Sequence, residues 1–342
     1  MSWLLYGASG YVGRLIVREI RNEGVDFPIL AGRNAAVVQA EASRAGGLEW
    51  RDFEADAPDL SGVTAVLNVA GPFEKTGPLL MRACIAAKIP YLDIAGELVT
   101  FQAAQALDDQ ARDAGVTLLP GVGLAVLPTD CLAVRLSREV PDATSLQIGV
   151  WTKGVASRGT LQTVVPLLST PGKVRTSGML RPASFAEKME TFDFGDGPVK
   201  LPLYPWRGDS VSAAASTGIA SIEAYVALPK ALALAATKGT GLLGNEGVKK
   251  LLNRWIDSQP DGPTPEQRAA GQSVVKVRVR KGLQKPVEAG LTLGDPYGFT
   301  ARAALAALRR VLAGGLPPGF QTPGLALGPD FVLEIPGVRP IP

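Results

Sequence analysis

The chain has 342 residues, more than a single hydrophobic core usually organises, so two domains are expected. Apolar residues make up 46% and charged residues 20%, and the net charge of +3 gives no general case for nucleic acid or a membrane surface as partner. With no histidine and only two cysteines, Cys84 and Cys131, Ser-His-Asp and Cys-His catalysis are excluded and no metal site is expected, which leaves the chemistry to a cofactor.

Short apolar runs at residues 3–6, 27–31, 48–53, 63–69, 90–94 and 116–119 read as strands, several nearly uniform, as in a parallel sheet covered on both faces. Helical patterns alternate with them: Val12, Leu15, Ile16 and Ile20 form one stripe while Arg14, Arg18 and Arg21 point elsewhere, and similar segments fall near 35–46, 77–88, 98–114 and 128–138. This alternation predicts a doubly wound α/β sheet. Beyond Pro141 a strand is expected at 144–152, a helix at 158–168, irregular chain over 170–218, and helices at 220–238 and 246–257. "SVVKVRVRK", residues 273–281, alternates apolar and basic residues, so Lys276, Arg278 and Arg280 are expected on a solvated face, with "PVEAGLTLG" as an antiparallel neighbour. That basic face also fits docking of an acidic carrier domain or a carboxylated substrate. Residues 297–313 read as a strong helix and 331–335 as a strand-like piece in a Gly/Pro-rich tail.

Two cysteines make no disulfide framework, and the N-terminus runs straight into a strand with no basic leader. The longest uncharged run, 311–329, carries Pro317, Pro318, Pro323 and five glycines, so no membrane span is expected. A cytoplasmic location follows from these readings.

The first strand leads into Gly7, Ala8, Ser9, Gly10, Tyr11, Val12 and Gly13, and then into an amphipathic helix. Glycines at this spacing permit a sharp turn, let the backbone approach a pyrophosphate, and pack the helix onto the sheet, while the helix N-terminus offers N–H groups to phosphate. The second strand ends at Arg33 and Asn34, 20 residues after Gly13, where an NAD site would place an acid for the ribose. No acid lies between Asp26 and Glu41, so nothing there repels a 2′-phosphate, and an arginine fork binds one. The cofactor expected is therefore NADP(H), although a solvated arginine leading a helix has the same sequence.

Ligands of such sheets lie outside the carboxyl ends of the strands. There the fourth strand runs into "NVAGPFEKTG", with Ala70, Gly71 and Pro72 a side-chain-poor turn for the nicotinamide, the fifth into "YLDIAGE" and the sixth into "LPGVGLAVLPTD". Together with GASGYVGRL, LAGRN and the tail GFQTPGLALG, these stretches resemble the saccharopine dehydrogenase-like NADP-binding oxidoreductases, including the group called trans-acting enoyl reductases. The resemblance is dense over 1–132, returns near 297–337 and is thin between. It implies a Rossmann-type doubly wound parallel sheet over 1–140, an inserted α+β substrate domain over 141–295, and a segment 296–342 returning to the first domain. The implied activity is an NADPH-dependent reduction of a C=C or C=N bond in a small or carrier-bound metabolite. The arginine and histidine sets that bind amino acids in true saccharopine-forming enzymes have no counterpart here.

The acidic and phenolic groups expected nearest the nicotinamide are Tyr91, Asp93 and Glu97. Tyr91 or Glu97 suits a proton donor, as do Lys75 and Asp130, but each has a second reading: Glu97 and Asp130 also fit helix caps and Lys75 a solvated loop. A non-catalytic NADP(H)-binding scaffold stays open as the alternative function, and so does assembly as a homodimer.

Overall fold

The computed structural model describes residues 2–24, 27–168, 170–228, 232–233, 237 and 246–341. In chain order the first elements are β1 (Ser2–Tyr6), α1 (Tyr11–Glu23), β2 (Ile29–Gly32), α2 (Ala35–Arg44), β3 (Trp50–Asp52), β4 (Val63–Asn68), α3 (Phe73–Ala87), β5 (Tyr91–Asp93), α4 (Leu98–Ala106), α5 (Asp108–Ala114) and β6 (Thr117–Leu119). Next come α6 (Leu127–Glu139), β7 (Ser145–Lys153), α7 (Arg158–Leu167), β8 (Gly172–Thr176), β9 (Met179–Ala183), β10 (Met189–Asp193), β11 (Pro198–Pro202), α8 (Asp209–Thr217) and β12 (Ser221–Val226). The chain closes with α9 (Glu246–Asp257), α10 (Pro265–Ala269), β13 (Gln272–Arg280), β14 (Val287–Thr292), α11 (Pro296–Leu312), β15 (Gly319–Phe320), α12 (Pro323–Ala326) and β16 (Arg339–Ile341).

Two compact units result: Met1–Leu127 with Tyr297–Pro336, and Pro128–Pro296 with Gly337–Pro342. The division comes earlier than residue 140, because the first turn of α6 is tied to α8: Thr129 donates to Asp209 (2.5 Å) and Asp130 accepts from Ser216 (2.8 Å). The last residues fall in the second unit because β16 pairs with β14.

The first unit is a parallel sheet of order β15-β6-β5-β4-β1-β2-β3, with its switch point between β1 and β4. Apolar strand residues on both faces make it stable: Leu4, Leu5, Leu30, Val66, Leu67, Leu92 and Leu118 are buried, and Ile16 and Ile20 of α1 pack inward as their spacing predicts. The helix expected over 98–114 is broken at Leu107 into α4 and α5.

The second unit carries a mixed sheet of order β16-β14-β13-β7-β12-β8-β9. The span 170–218, expected to be irregular, holds two hairpins and a helix. Its Ser177-Gly178 pair takes positive φ (49° and 82°) between β8 and β9, and Gly195 and Gly197 turn the chain between β10 and β11. The Gly and Ser residues that read as loop are hairpin turns. The helix expected at 220–238 begins instead as strand β12, held parallel to β7, and residues 229–231, 234–236 and 238 of that segment lie outside the described residues. The piece expected as a strand at 331–335 is a 3₁₀ turn over Phe331–Glu334.

The basic face of β13 is also corrected. Lys276 is buried and Arg278 nearly so, because β10–β11 cover them. Lys276 donates to the Asp193 carbonyl (2.9 Å) and Arg278 to the Thr191 carbonyl (2.7 Å). Arg278 also pairs with Glu190 (3.2 Å) and Glu288 (2.9 Å) and lies 4.3 Å over the Phe192 ring. These charges are taken up inside the unit, and only Arg280 is exposed.

Candidate functional site

The glycine loop leaves β1 at the switch point. Gly7 has φ +90°, and a Cβ on it would lie 2.8 Å from the Ala70 nitrogen, so the loops after β1 and β4 approach too closely for a side chain at position 7. A Cβ on Gly13 would meet the Gly7 and Ala8 carbonyl oxygens at 2.4 and 2.6 Å, which is how α1 comes so close beneath the turn. Gly10 caps α1 with no side-chain hydrogen bond and no acid occupies the first turn. Arg14 pins the loop from below by donating to the Ser9 carbonyl (2.5 Å). Tyr11 meets Tyr297 of α11 edge-on at 5.1 Å. Arg33 stands exposed at the end of β2 and makes no hydrogen bond or ion pair among the described residues. Asn34 is occupied in part, its Oδ1 accepting from Val37 N (3.2 Å) as the cap of α2.

A buried polar network stitches together the loops after β4, β5 and β6. The strand register sets Asn68 beside Asp93. Asn68 Nδ2 donates to Tyr91 Oη (3.0 Å) and Thr76 Oγ1 (3.1 Å), and its Oδ1 accepts from Ala70 N (3.0 Å). Thr76 Oγ1 donates to the Ala70 carbonyl (2.7 Å), holding the Ala70-Gly71-Pro72 turn against α3. Tyr91 donates to Asp93 Oδ2 (2.9 Å), and Asp93 Oδ1 accepts from Ala95 N and Gly121 N, both at 2.9 Å. Tyr91 and Asp93 are fully buried.

Burial sets the ionisation here. It lifts Asp93 to about 6, against the hydrogen bonds from Gly121, Ala95 and Tyr91. Burial also lifts Glu97, 5% exposed, to about 7; backbone hydrogen bonds at residues 97 and 96 oppose the shift, while the charges of Asp93 and Glu74 add to it. Tyr91 is pushed well above the ordinary phenol range, by burial first and by Asp93 second. Burial thus brings both carboxyls toward neutrality, Glu97 further than Asp93, and Tyr91 keeps its proton. Lys75 is exposed in the first turn of α3, and Asp130 is buried in α6 of the second unit. The structure therefore brings Tyr91, Asp93 and Glu97 into one locale, with Asp130 on the other unit.

Residues 3–119 match the family model described as the saccharopine dehydrogenase NADP binding domain. That span, about a third of the chain, is similar to the NADP-binding domain of that family. Proteins named trans-acting enoyl reductase are similar to the chain: one from Mycobacterium tuberculosis is 31% identical over 153 residues (41% of this chain, 37% of that protein). Another, from Mycobacterium ulcerans, is 26% identical over 185 residues (49% and 44%). The chain spans under half the length of these relatives. Among solved structures, apo saccharopine dehydrogenase (L-Glu forming) from Saccharomyces cerevisiae superposes over 100% of both chains with TM-score 0.62 at 13% identity, a likeness of fold.

The NADP-binding domain fits its cofactor on the geometry already described. The close approach at Gly7 and Gly13, the bare cap at Gly10 and the unpaired Arg33 are compatible with a dinucleotide carrying a 2′-phosphate. Sequence reading does not single out Asn68 and Thr76, whose signal is only their place at the carboxyl end of β4. Nor does it find Tyr297, more than 280 residues from the loop it touches.

Proposed function

We propose that the chain is an NADPH-dependent reductase of an activated C=C bond in a carrier-bound acyl group. The observation that supports the reading is Glu97, a buried carboxyl at the start of α4 whose Oε2 accepts from Gly96 N (2.9 Å), in the loop that Asp93 holds; burial raises both carboxyls, Glu97 the further. Two acids whose surroundings set them apart in this way are suited to an acid role and a holding role. NADPH supplies the hydride. The backbone and side chains of Gly7–Gly13, with Arg33, Asn34 and Ala70–Pro72, bind and orient it. Glu97 delivers the proton to the carbon next to the carbonyl. Asp93, Tyr91 and Asn68 act as positioning residues, fixing the three loops around that proton. Lys75 is proposed to meet the anionic arm of a carrier-bound substrate.

The choice of C=C and of a carrier takes support from the names of the relatives. The test is NADPH oxidation by the purified protein against enoyl thioesters, free and carrier-loaded, and against imines, with products identified by mass. Turnover is expected on enoyl substrates, falling as pH rises through about 7 because the donor is lost. Turnover confined to imines would move the reading to C=N reduction. Tight NADPH binding without oxidation across the panel would instead favour the scaffold alternative.

A further inference from the structure

Phe53 follows β3, and its N–H reaches the Gly32 carbonyl across the strand gap (3.2 Å). This places it next to Arg33 on the carboxyl edge of the sheet. One face of its ring stacks on Tyr6, with centroids 5.3 Å apart and planes 15° from parallel. Tyr6 is buried as the last residue of β1, immediately before Gly7, and its hydroxyl donates to the Phe53 carbonyl (3.4 Å). The Phe53 ring is thereby held against Tyr6 of β1, and the residue is only half-buried. The charged groups around the pair are Glu54, Arg33 and Asp56: burial and then Glu54 raise the Tyr6 phenol, Arg33 lowers it and Asp56 raises it further.

A rigid aromatic face beside an unpaired guanidinium matches a purine nucleotide, because any base stacks on a ring and its phosphate pairs with the arginine. The acids at 54 and 56 disfavour phosphate on the β3 side and accept from an amino-bearing purine edge. We propose that Phe53 is the purine platform of the NADP site, with adenine lying on its outward face and the 2′-phosphate held by Arg33. The inference concerns binding alone and does not depend on the reaction proposed above.

The experiment titrates the full chain with NADPH, adenosine 2′,5′-bisphosphate and reduced nicotinamide mononucleotide, which lacks the purine. Phe53→Ala is expected to weaken NADPH and the bisphosphate by about 10-fold or more and to leave the mononucleotide unchanged. Phe53→Trp, which keeps a stacking face, should restore both, whereas Phe53→Leu, which keeps apolar cover on Tyr6, should not. Arg33→Ala should weaken the bisphosphate but not NADH, separating phosphate from base. Bisphosphate affinity within 2-fold of the parent in Phe53→Leu, or equal losses in the leucine and tryptophan variants, would overturn the proposal. Those two variants decide the matter even where Phe53→Ala fails to fold.

Discussion

The NADP-binding sheet and the mixed sheet of the second unit each have seven strands among the described residues, and they use charge in opposite ways. In the first, every strand runs the same way, so the loops after β1, β4, β5 and β6 open on one edge. Arginine is left unpaired there at position 33. In the second, antiparallel returns put a hairpin across the face of β13, and Arg278 is clamped by Glu190, Glu288, Thr191 and the Phe192 ring. The same residue type is left for a ligand in the proposed site and is a structural rivet in the other. What separates them is whether the chain itself supplies the partner.

The contrast can be tested. The largest effect is expected from Gly13→Val, whose side chain would overlap the Gly7 and Ala8 carbonyls. NADPH affinity should fall about a thousandfold or more, because α1 can no longer sit under the pyrophosphate turn. Binding that survives within tenfold would break the account of the loop.

Glu97→Gln should lower turnover by about 100-fold, the usual contribution of a positioned acid. It should also stabilise the fold at alkaline pH. The folded value of Glu97, about 7, lies above its unfolded value of 4.5, so its stability contribution is complete below 4.5 and is lost as pH rises through about 7. Thermal unfolding between these limits should decline less steeply in the variant than in the parent, and equal slopes would show that Glu97 is not buried as described. Asp93 titrates in the same sense and remains in both proteins.

A smaller change, confined to the second unit, is expected from Arg278→Met. Loss of its charge-assisted bonds should cost about 2 kcal/mol, since Glu190 loses its ion pair and Glu288 keeps only the longer one with Lys276 (3.5 Å). Denaturant unfolding should show this while NADPH affinity holds; unchanged stability would mean the hairpin does not need the arginine.

The mildest is Arg33→Asp, expected to weaken NADPH about 10-fold through lost charge-assisted bonds, with NADH binding no weaker, since an acid here suits its ribose, and stability unchanged. Equal affinities for the two cofactors in the parent would remove Arg33 from phosphate recognition.

How far each region was legible follows from the range of its interactions. The strand–Gly7-x-x-Gly10-x-x-Gly13–helix passage could be read directly, since turn, cap and stripe lie within 20 residues of one another. The Asn68–Tyr91–Asp93 network could be read only in part. Its members sit at recognisable strand ends, but their union needs the register that aligns Asn68 with Asp93. The span 170–218 was misread because its Gly and Ser residues mark turns and loops alike. β13 was misread because period two reports which residues share a face, not whether another hairpin crosses it.

From the sequence alone came the doubly wound alternation, the glycine turn and the absent ribose acid, because each is a matter of local sterics or a missing charge. Only the tertiary structure decided that burial raises Glu97 to about 7, that Asp93 ties the loops after β5 and β6 together, and that Lys276 and Arg278 of β13 are inward. Ionisation and solvation depend on what surrounds a group, and in a folded chain most of those surroundings are residues distant in sequence.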